Sequence, residues 1–186
     1  MPYSDATFDD LTDTFVRQIQ LSRCLDIGAG EGKYGKLVRE FHPHVEIIGI
    51  EIESEYVERF ELDKIYDSIW CMPANAIIDE KVDVNYDLVI IGDCLEHLRK
   101  SQGIDLLNFL IYRTRYLLIV YPERYLQGSW EGYLHEAHIS FWGENDFAGL
   151  DYILFRRNSR VAVLVNGYLL NTELEPSVQK LVGKDA

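Results

Sequence analysis

Residues 24–35, CLDIGAGEGKYG, pass from an apolar, strand-like segment through Asp26 into four glycines, Gly28, Gly30, Gly32 and Gly35. Glycines so spaced let a chain turn sharply at a strand end and bring its backbone against a ligand with no Cβ in the way. The flanking residues repeat one rhythm. FDDLTDTFVRQIQLS places Phe8, Leu11, Phe15 and Ile19 at spacings of three and four, which predicts an amphipathic helix ahead of RCLDIG. KYGKLVREFH carries Tyr34, Leu37, Val38 and Phe41 at helical spacing and stops at Pro43. VEIIGIEI then reads as a second strand, and SEYVERFELDK as a second helix with Ser54 available as N-cap. A weaker strand around SIWCM ends at Pro73, and YDLVIIGD is a buried, β-branched strand. LEHLRKSQGIDLLNFLIYRT reads as helix bent or broken near Gly103, followed by RYLLIVYPE as a fifth strand. Five alternating units predict an α/β fold with a parallel sheet covered on both faces. YILFRR and VAVLV, joined by a tight turn, add antiparallel strands at one edge, and Gly143 to Gly149 can open a short helix before them.

A chain of 186 residues with 47% hydrophobic content suffices for one domain with a single core. Its expected parts are an N-terminal helix (1–20), a binding core (21–121), a connection (122–149), the closing strand pair (150–170) and a tail (171–186). The tail is the one region expected to be disordered. Eighteen basic against 31 acidic residues leave a formal charge of −13, which disfavours a nucleic-acid partner and suits a small or cationic one. Apolar runs such as Leu117–Tyr121 fall far short of the ~18 to 20 residues that cross a bilayer, so no membrane role is expected. Cys24, Cys71 and Cys94 lie far apart without CxxC spacing. With no signal-peptide pattern at the start, the expected address is cytoplasmic.

In open α/β sheets a ligand sits beyond the carboxyl ends of the strands, next to the first strand, where DIGAGEG falls. Gly30, Gly32 and Gly35 satisfy the dinucleotide pattern GxGxxG, while Asp26, Gly28, Gly30 and Gly32 satisfy D-x-G-x-G-x-G. A carboxylate at the strand end would repel a pyrophosphate and accept an ammonium or sulfonium, which favours S-adenosyl-L-methionine over a dinucleotide. Glu51, within GIEIE at the end of the second strand, is placed to accept from both ribose hydroxyls. Asn75 in PANA is either an adenine contact or a turn residue after Pro73. On LDIGAGEG, IIGIEIE, YDLVIIGDCLEHL and RYLLIVYPE, in that order over residues 20–170, the chain resembles the class I S-adenosylmethionine-dependent methyltransferases. The resemblance implies a Rossmann-like, seven-stranded, mostly parallel sheet and an adenosylmethionine cofactor. It implies binding roles for Asp26, Gly28, Gly30, Glu51 and Asn75, with Ala29, Tyr34, Ile52, Ala76 and Asp93 beside them. A nicotinamide-dependent oxidoreductase is the competing reading, and it would need a substrate domain for which the length leaves little room.

GDCLEHL sets Asp93 beside the cofactor and Glu96 and His97 at the start of the next helix, with all three on one face if helical geometry begins early. YLHEAHISFW adds His135 and His138 from the connection after the fifth strand. Mixed oxygen and nitrogen ligands of this kind suit Mn, Fe, Co or Zn. Asp93-x-x-Glu96-His97, with His138 ahead of Phe141 and Trp142, is similar to the metal site of the small-RNA 3′-terminal 2′-O-methyltransferases, with Asp93 replacing a glutamate. The resemblance implies a metal held by Asp93, Glu96, His97 and His138. Without a metal, His97, His135 or His138 is the candidate general base, with Glu96 beside them.

The aromatic-rich connection from Pro122 to Gly143 is expected to form an acceptor wall and partial lid. Tyr121, Tyr125, Trp130, Tyr133 and Trp142 are available to stack on a sugar or planar ring; the alternative is that they cover the sheet edge or form a homodimer contact. Glu123 and Glu131 favour a cationic or polyhydroxyl acceptor, and the basic turn Arg156–Arg160 is either a solvated hairpin tip or a contact for an anionic group. The function expected is methyl transfer to a small molecule or carbohydrate, with oxygen the favoured atom. Its alternatives are a metal-assisted RNA 3′-terminal methyltransferase and a noncatalytic adenosylmethionine-binding partner subunit.

Overall fold

The computed structural model describes residues 3–80 and 85–169, so position 170 of the closing pair and the tail from Asn171 lie outside the described residues. The apolar runs pair in register. β1 (Arg23–Ile27) lies between β2 (Glu46–Glu51) and a later strand; β3 (Ser68–Cys71) pairs outside β2; β4 (Tyr86–Gly92) completes β1's other side, and β5 (Thr114–Pro122) follows. All these pairings are parallel. β6 (Tyr152–Arg157) and β7 (Arg160–Asn166) form the hairpin, and β7 docks antiparallel on β5. The order β3-β2-β1-β4-β5-β7-β6 reverses direction between β1 and β4, which opens a crevice at their carboxyl ends.

Successive side chains of each strand point to opposite faces, so a buried parallel strand must be apolar on both. Cys24, Ile47, Leu88, Ile90 and Leu118 pack against α1 (Asp9–Gln18) and α2 (Lys33–Phe41) through Phe15, Val16, Tyr34 and Val38. Leu25, Ile48, Val89, Ile91 and Leu117 pack on the other face against Leu106, Leu107 and Leu110. These leucines belong to α5 (Lys100–Ile111). The shorter α3 (Ser54–Arg59) and α4 (Ile77–Glu80) follow β2 and β3. No helix among the described residues is long and apolar enough to cross a membrane.

Two helices differ from expectation. α5 runs unbroken through Gly103, because the glycine makes room for a ring: a Cβ there would lie 2.3 Å from Trp142 Cζ2. The break falls earlier, where Leu95–His97 form a separate 3-10 turn and Leu98 and Arg99 are extended. α3 begins with Ser54 itself. Its cap is Glu53, whose carboxylate accepts the Glu55 N–H at 3.2 Å, and Glu61 in a left-handed conformation ends the predicted helix before a 3-10 turn at Leu62–Lys64.

Candidate functional site

Two cavities meet at the carboxyl edge of the sheet. Gly28 and Gly30 of the glycine turn, Glu51 and Ile52 after β2, Met72 to Ala74 after β3, and Asp93 with His97 after β4 line the first, of about 720 Å³ with its open mouth included. Gly28 adopts φ +79°, and a Cβ on it would sit 2.9 Å from Cys94 Cβ, so only glycine serves here. Its N–H and that of Ala29 donate to the Ile50 carbonyl at 2.9 and 3.0 Å, which ties the turn to β2. Glu51 is buried and fixed: Oε2 accepts from Gly30 N–H at 2.8 Å and Oε1 from Glu53 N–H at 2.9 Å. Burial pushes its carboxyl above the ordinary value despite those two bonds. Each oxygen keeps a lone pair for a ligand hydroxyl.

Asp26 is placed otherwise than the spacing suggests. It ends β1 but does not reach the cavity: it is 1% exposed, and Oδ2 accepts from the Tyr66 hydroxyl at 2.5 Å. Tyr66 gets there because Gly35 has no Cβ, which would lie 2.4 Å from its ring. Burial lifts the Asp26 carboxyl to about 7, with Tyr66 pulling the other way. Tyr34 likewise lies beneath the turn, packed where a Cβ on Gly92 would come within 2.0 Å of its ring. Ala29 is core, and Asn75 and Ala76 occupy the 3-10 turn whose first residue, Ala74, is the one that lines the cavity.

The second cavity is more polar and lies toward the connection after β5. Glu96, His97, Glu123, Arg124, Tyr125, His138 and Arg160 line it; Ser4, Asp93 and His97 belong to both cavities. Glu96, His97 and His138 come together, one potential ligand atom from each within 4.8 Å of the others. His97 Nδ1 donates to the Ala137 carbonyl at 3.2 Å and His138 Nδ1 to the Tyr125 carbonyl at 2.9 Å. A carbonyl can only accept, so both rings carry their proton on Nδ1 and present a bare Nε2. His138 Nε2 lies 3.9 Å from Glu96 Oε1. Burial drives His97 down to about 4 and His138 below its ordinary value, and drives Glu96 up to about 8. Among the described residues, neither oxygen of Glu96 has a hydrogen-bond partner.

Asp93 stands apart from this set. Its backbone is left-handed at φ 49°, which turns the carboxylate to Arg160 at the start of β7 and to the Asp5 N–H at 3.2 Å. The one-face arrangement needed an early helix, and none forms at 93. His135 reaches the first cavity only. Among the aromatics, Tyr121 stacks on Phe147 in the core and Trp142 is buried with its indole N–H on the Leu95 carbonyl at 3.1 Å, so neither faces an acceptor. Tyr125 does line the second cavity, while Tyr133 packs on Tyr56 and bridges to Trp130. Arg156 pairs with Glu123 and Glu144, and Arg157 with Asp10; of the turn's three arginines only Arg160 enters the cavity wall, beside Asn158 and Ser159. Glu131 pairs with Arg59.

Tyr56, Glu136 and Ser4 are lining residues that sequence reasoning did not assign. Tyr56 reads as one more apolar helix position, and Glu136 sits between two histidines that draw the eye. No motif marks either.

No family model matches the chain, and no curated protein matches it. Solved structures do. An O-methyltransferase family protein from Burkholderia thailandensis superposes with a TM-score of 0.61 at 11% identity over 86% of this chain, which spans 56% of that protein's length. The methyltransferase domain of bacterial CtHen1-CN gives 0.63 at 14% identity, covering 88% of this chain and 100% of the other. The N-terminal domain of EvdMO1, solved with SAH and D-fucose, gives 0.60 at 15% identity, covering 89% and 84%. The chain has the Rossmann-like fold of class I methyltransferases, with the antiparallel closing hairpin that fold implies.

Proposed function

We propose that this chain, built on the class I methyltransferase fold, is an S-adenosylmethionine-dependent methyltransferase acting on an oxygen of a small-molecule or carbohydrate acceptor. One observation carries the reading: the two cavities abut through Asp93 and His97, so a donor in the first and an acceptor in the second meet at one wall. The first cavity fits an adenosyl cofactor, since the Cβ-free turn at Gly28 admits close approach and Glu51 offers two fixed carboxylate oxygens to a ribose diol. The EvdMO1 domain solved with SAH and D-fucose supports the cofactor and a sugar-like acceptor. When bound, the cofactor supplies an electrophilic methyl group. The chain's own residues then align the acceptor and take its proton. His97 is the base this geometry favours, because it is the histidine that lines both cavities, whereas His135 and His138 each line one. The three cysteines are free thiols, which suits a reducing, cytoplasmic setting.

Calorimetry with SAH tests the reading. Wild type binds, and Glu51→Ala weakens binding about ten-fold or more, the equivalent of a lost charge-assisted bond of ~1.5 to 3 kcal/mol. A wild-type chain that gives no heat with SAM or SAH removes the proposal.

A second reading rests on the Glu96, His97 and His138 set. Two imidazoles oriented by backbone carbonyls through Nδ1, beside a buried carboxylate with no hydrogen-bond partner among the described residues, fit a divalent ion of the Mn, Fe, Co or Zn kind. Such an ion would acidify an acceptor hydroxyl, and a vicinal diol such as an RNA 3′ terminus is the acceptor this reading favours. Asp93 is not a ligand in it, being held by Arg160. Metal analysis of protein purified without chelator decides between the two: about one equivalent in wild type and none in Glu96→Gln/His97→Ala supports the ion, and equal content in both eliminates this set as its site.

A further inference from the structure

Segment 133–138 covers the first cavity between two anchors. At one end Tyr133 packs edge-on against Tyr56 of α3, ring centroids 5.5 Å apart, and its hydroxyl bonds Glu55. At the other, the N–H groups of Ile139 and Ser140 donate to the Glu96 carbonyl at 2.8 and 3.1 Å. Between them Glu136, 6% exposed, turns into the cavity that Glu51 also lines. The Tyr56 hydroxyl, in a residue 2% exposed and lining the same cavity, faces the Glu136 carboxylate. Burial, and after it the charge of Glu136, push the Glu51 carboxyl upward, so the two carboxylates feel each other across the cavity that both line. Two carboxylates and a phenol lining one cavity favour a ligand that brings hydrogen-bond donors and no further negative charge.

We infer that Glu136 and Tyr56 are nucleoside-binding residues: with Glu51 they grip the ribose of the adenosyl cofactor and select a ribose whose hydroxyls carry no phosphate. Glu136 accepts from one ribose hydroxyl while Glu51 accepts from the other, and the Tyr56 hydroxyl completes the set. The inference rests on the methyltransferase reading, which places a nucleoside here. It also relocates the discrimination against phosphorylated nucleotides. Asp26, sealed beneath the turn, does not face the ligand, whereas Glu51 and Glu136 do.

Calorimetry on the full chain tests it with SAH and its 2′-deoxy and 3′-deoxy analogues, against wild type, Glu136→Gln and Tyr56→Phe, with melting curves to verify folding. Glu136→Gln is expected to weaken SAH about ten-fold, and to weaken one of the deoxy analogues much less, because that analogue already lacks the partner hydroxyl. Adenosine is expected to bind wild type and adenosine 2′-monophosphate to bind far more weakly, a gap that narrows in Glu136→Gln. If wild type binds SAH and Glu136→Gln binds it equally, the inference is overturned while the methyltransferase reading stands. A loss equal for SAH and both analogues overturns it too, since that marks a merely structural role. If wild type binds no SAH, both fall together. Should Glu136→Gln not fold, Tyr56→Phe carries the test, and an unchanged Kd there overturns the inference.

Discussion

Asp26 is buried, the Tyr66 hydroxyl on its Oδ2 offsets only part of the cost of burying a charge, and the consequence is a proton that the folded chain holds more tightly than the unfolded one. The unfolded carboxyl titrates near ~3.9, the folded one at about 7. Stability from this group is therefore fully present below the unfolded value and is lost as pH rises toward 7, since the native state binds the extra proton across that window. Asp26→Asn, which keeps an acceptor for Tyr66, is expected to flatten the decline in Tm between pH 4 and 7 relative to wild type; parallel curves for the two proteins would refute the buried titration. What could be seen of the site beforehand follows the same logic. Gly28, Gly30 and Glu51 sit where they do because strand ends place them, and local spacing is enough to show it. Glu96, His97 and His138 converge because β4 and β5 end on the same edge. The partners that decide what a side chain does are remote: Tyr66 is 40 residues from Asp26, and Arg160 comes from the far hairpin to claim Asp93. No motif spacing carries that information.

Among the elements, α5 shows how a local signal can point to the wrong cause. Gly103 in a helical run reads as a bend, yet the helix is continuous and the missing Cβ is filled by Trp142, a residue from the connection after β5. In an exposed helix Gly→Ala would gain about 1 kcal/mol. Here Gly103→Ala drives a methyl to 2.3 Å from the Trp142 ring, so a net loss of stability is expected, roughly 1 to 3 kcal/mol as for other overpacked cores. Urea melts check it, and the loss should shrink in a Trp142→Phe background, where the smaller ring leaves room. An additive double variant would disconnect the two residues. The strands were easier to read. Their apolar, β-branched runs have one use in an α/β chain, burial on both faces, and β1, β2, β4 and β5 are so buried, whereas the edge strand β3 is only partly covered.

Across the whole molecule the connection after β5 has a double attachment. His138 serves the second cavity, while Glu136, two positions earlier, serves the first, and the backbone between them is bonded to the His97 ring. Filling one cavity must therefore be felt in the other. Amide hydrogen exchange over 133–139 is expected to slow when SAH is added, with little change in the core strands; exchange that stays the same under saturating SAH would sink the coupling. Asp93 and His97, common to both cavities, set how far apart two occupants can be. A single compound carrying an adenosyl half and a polyhydroxyl half on a short tether would need to span only that partition. Its second half would then bind at the high local concentration that linkage confers, and such a compound would outcompete either fragment alone.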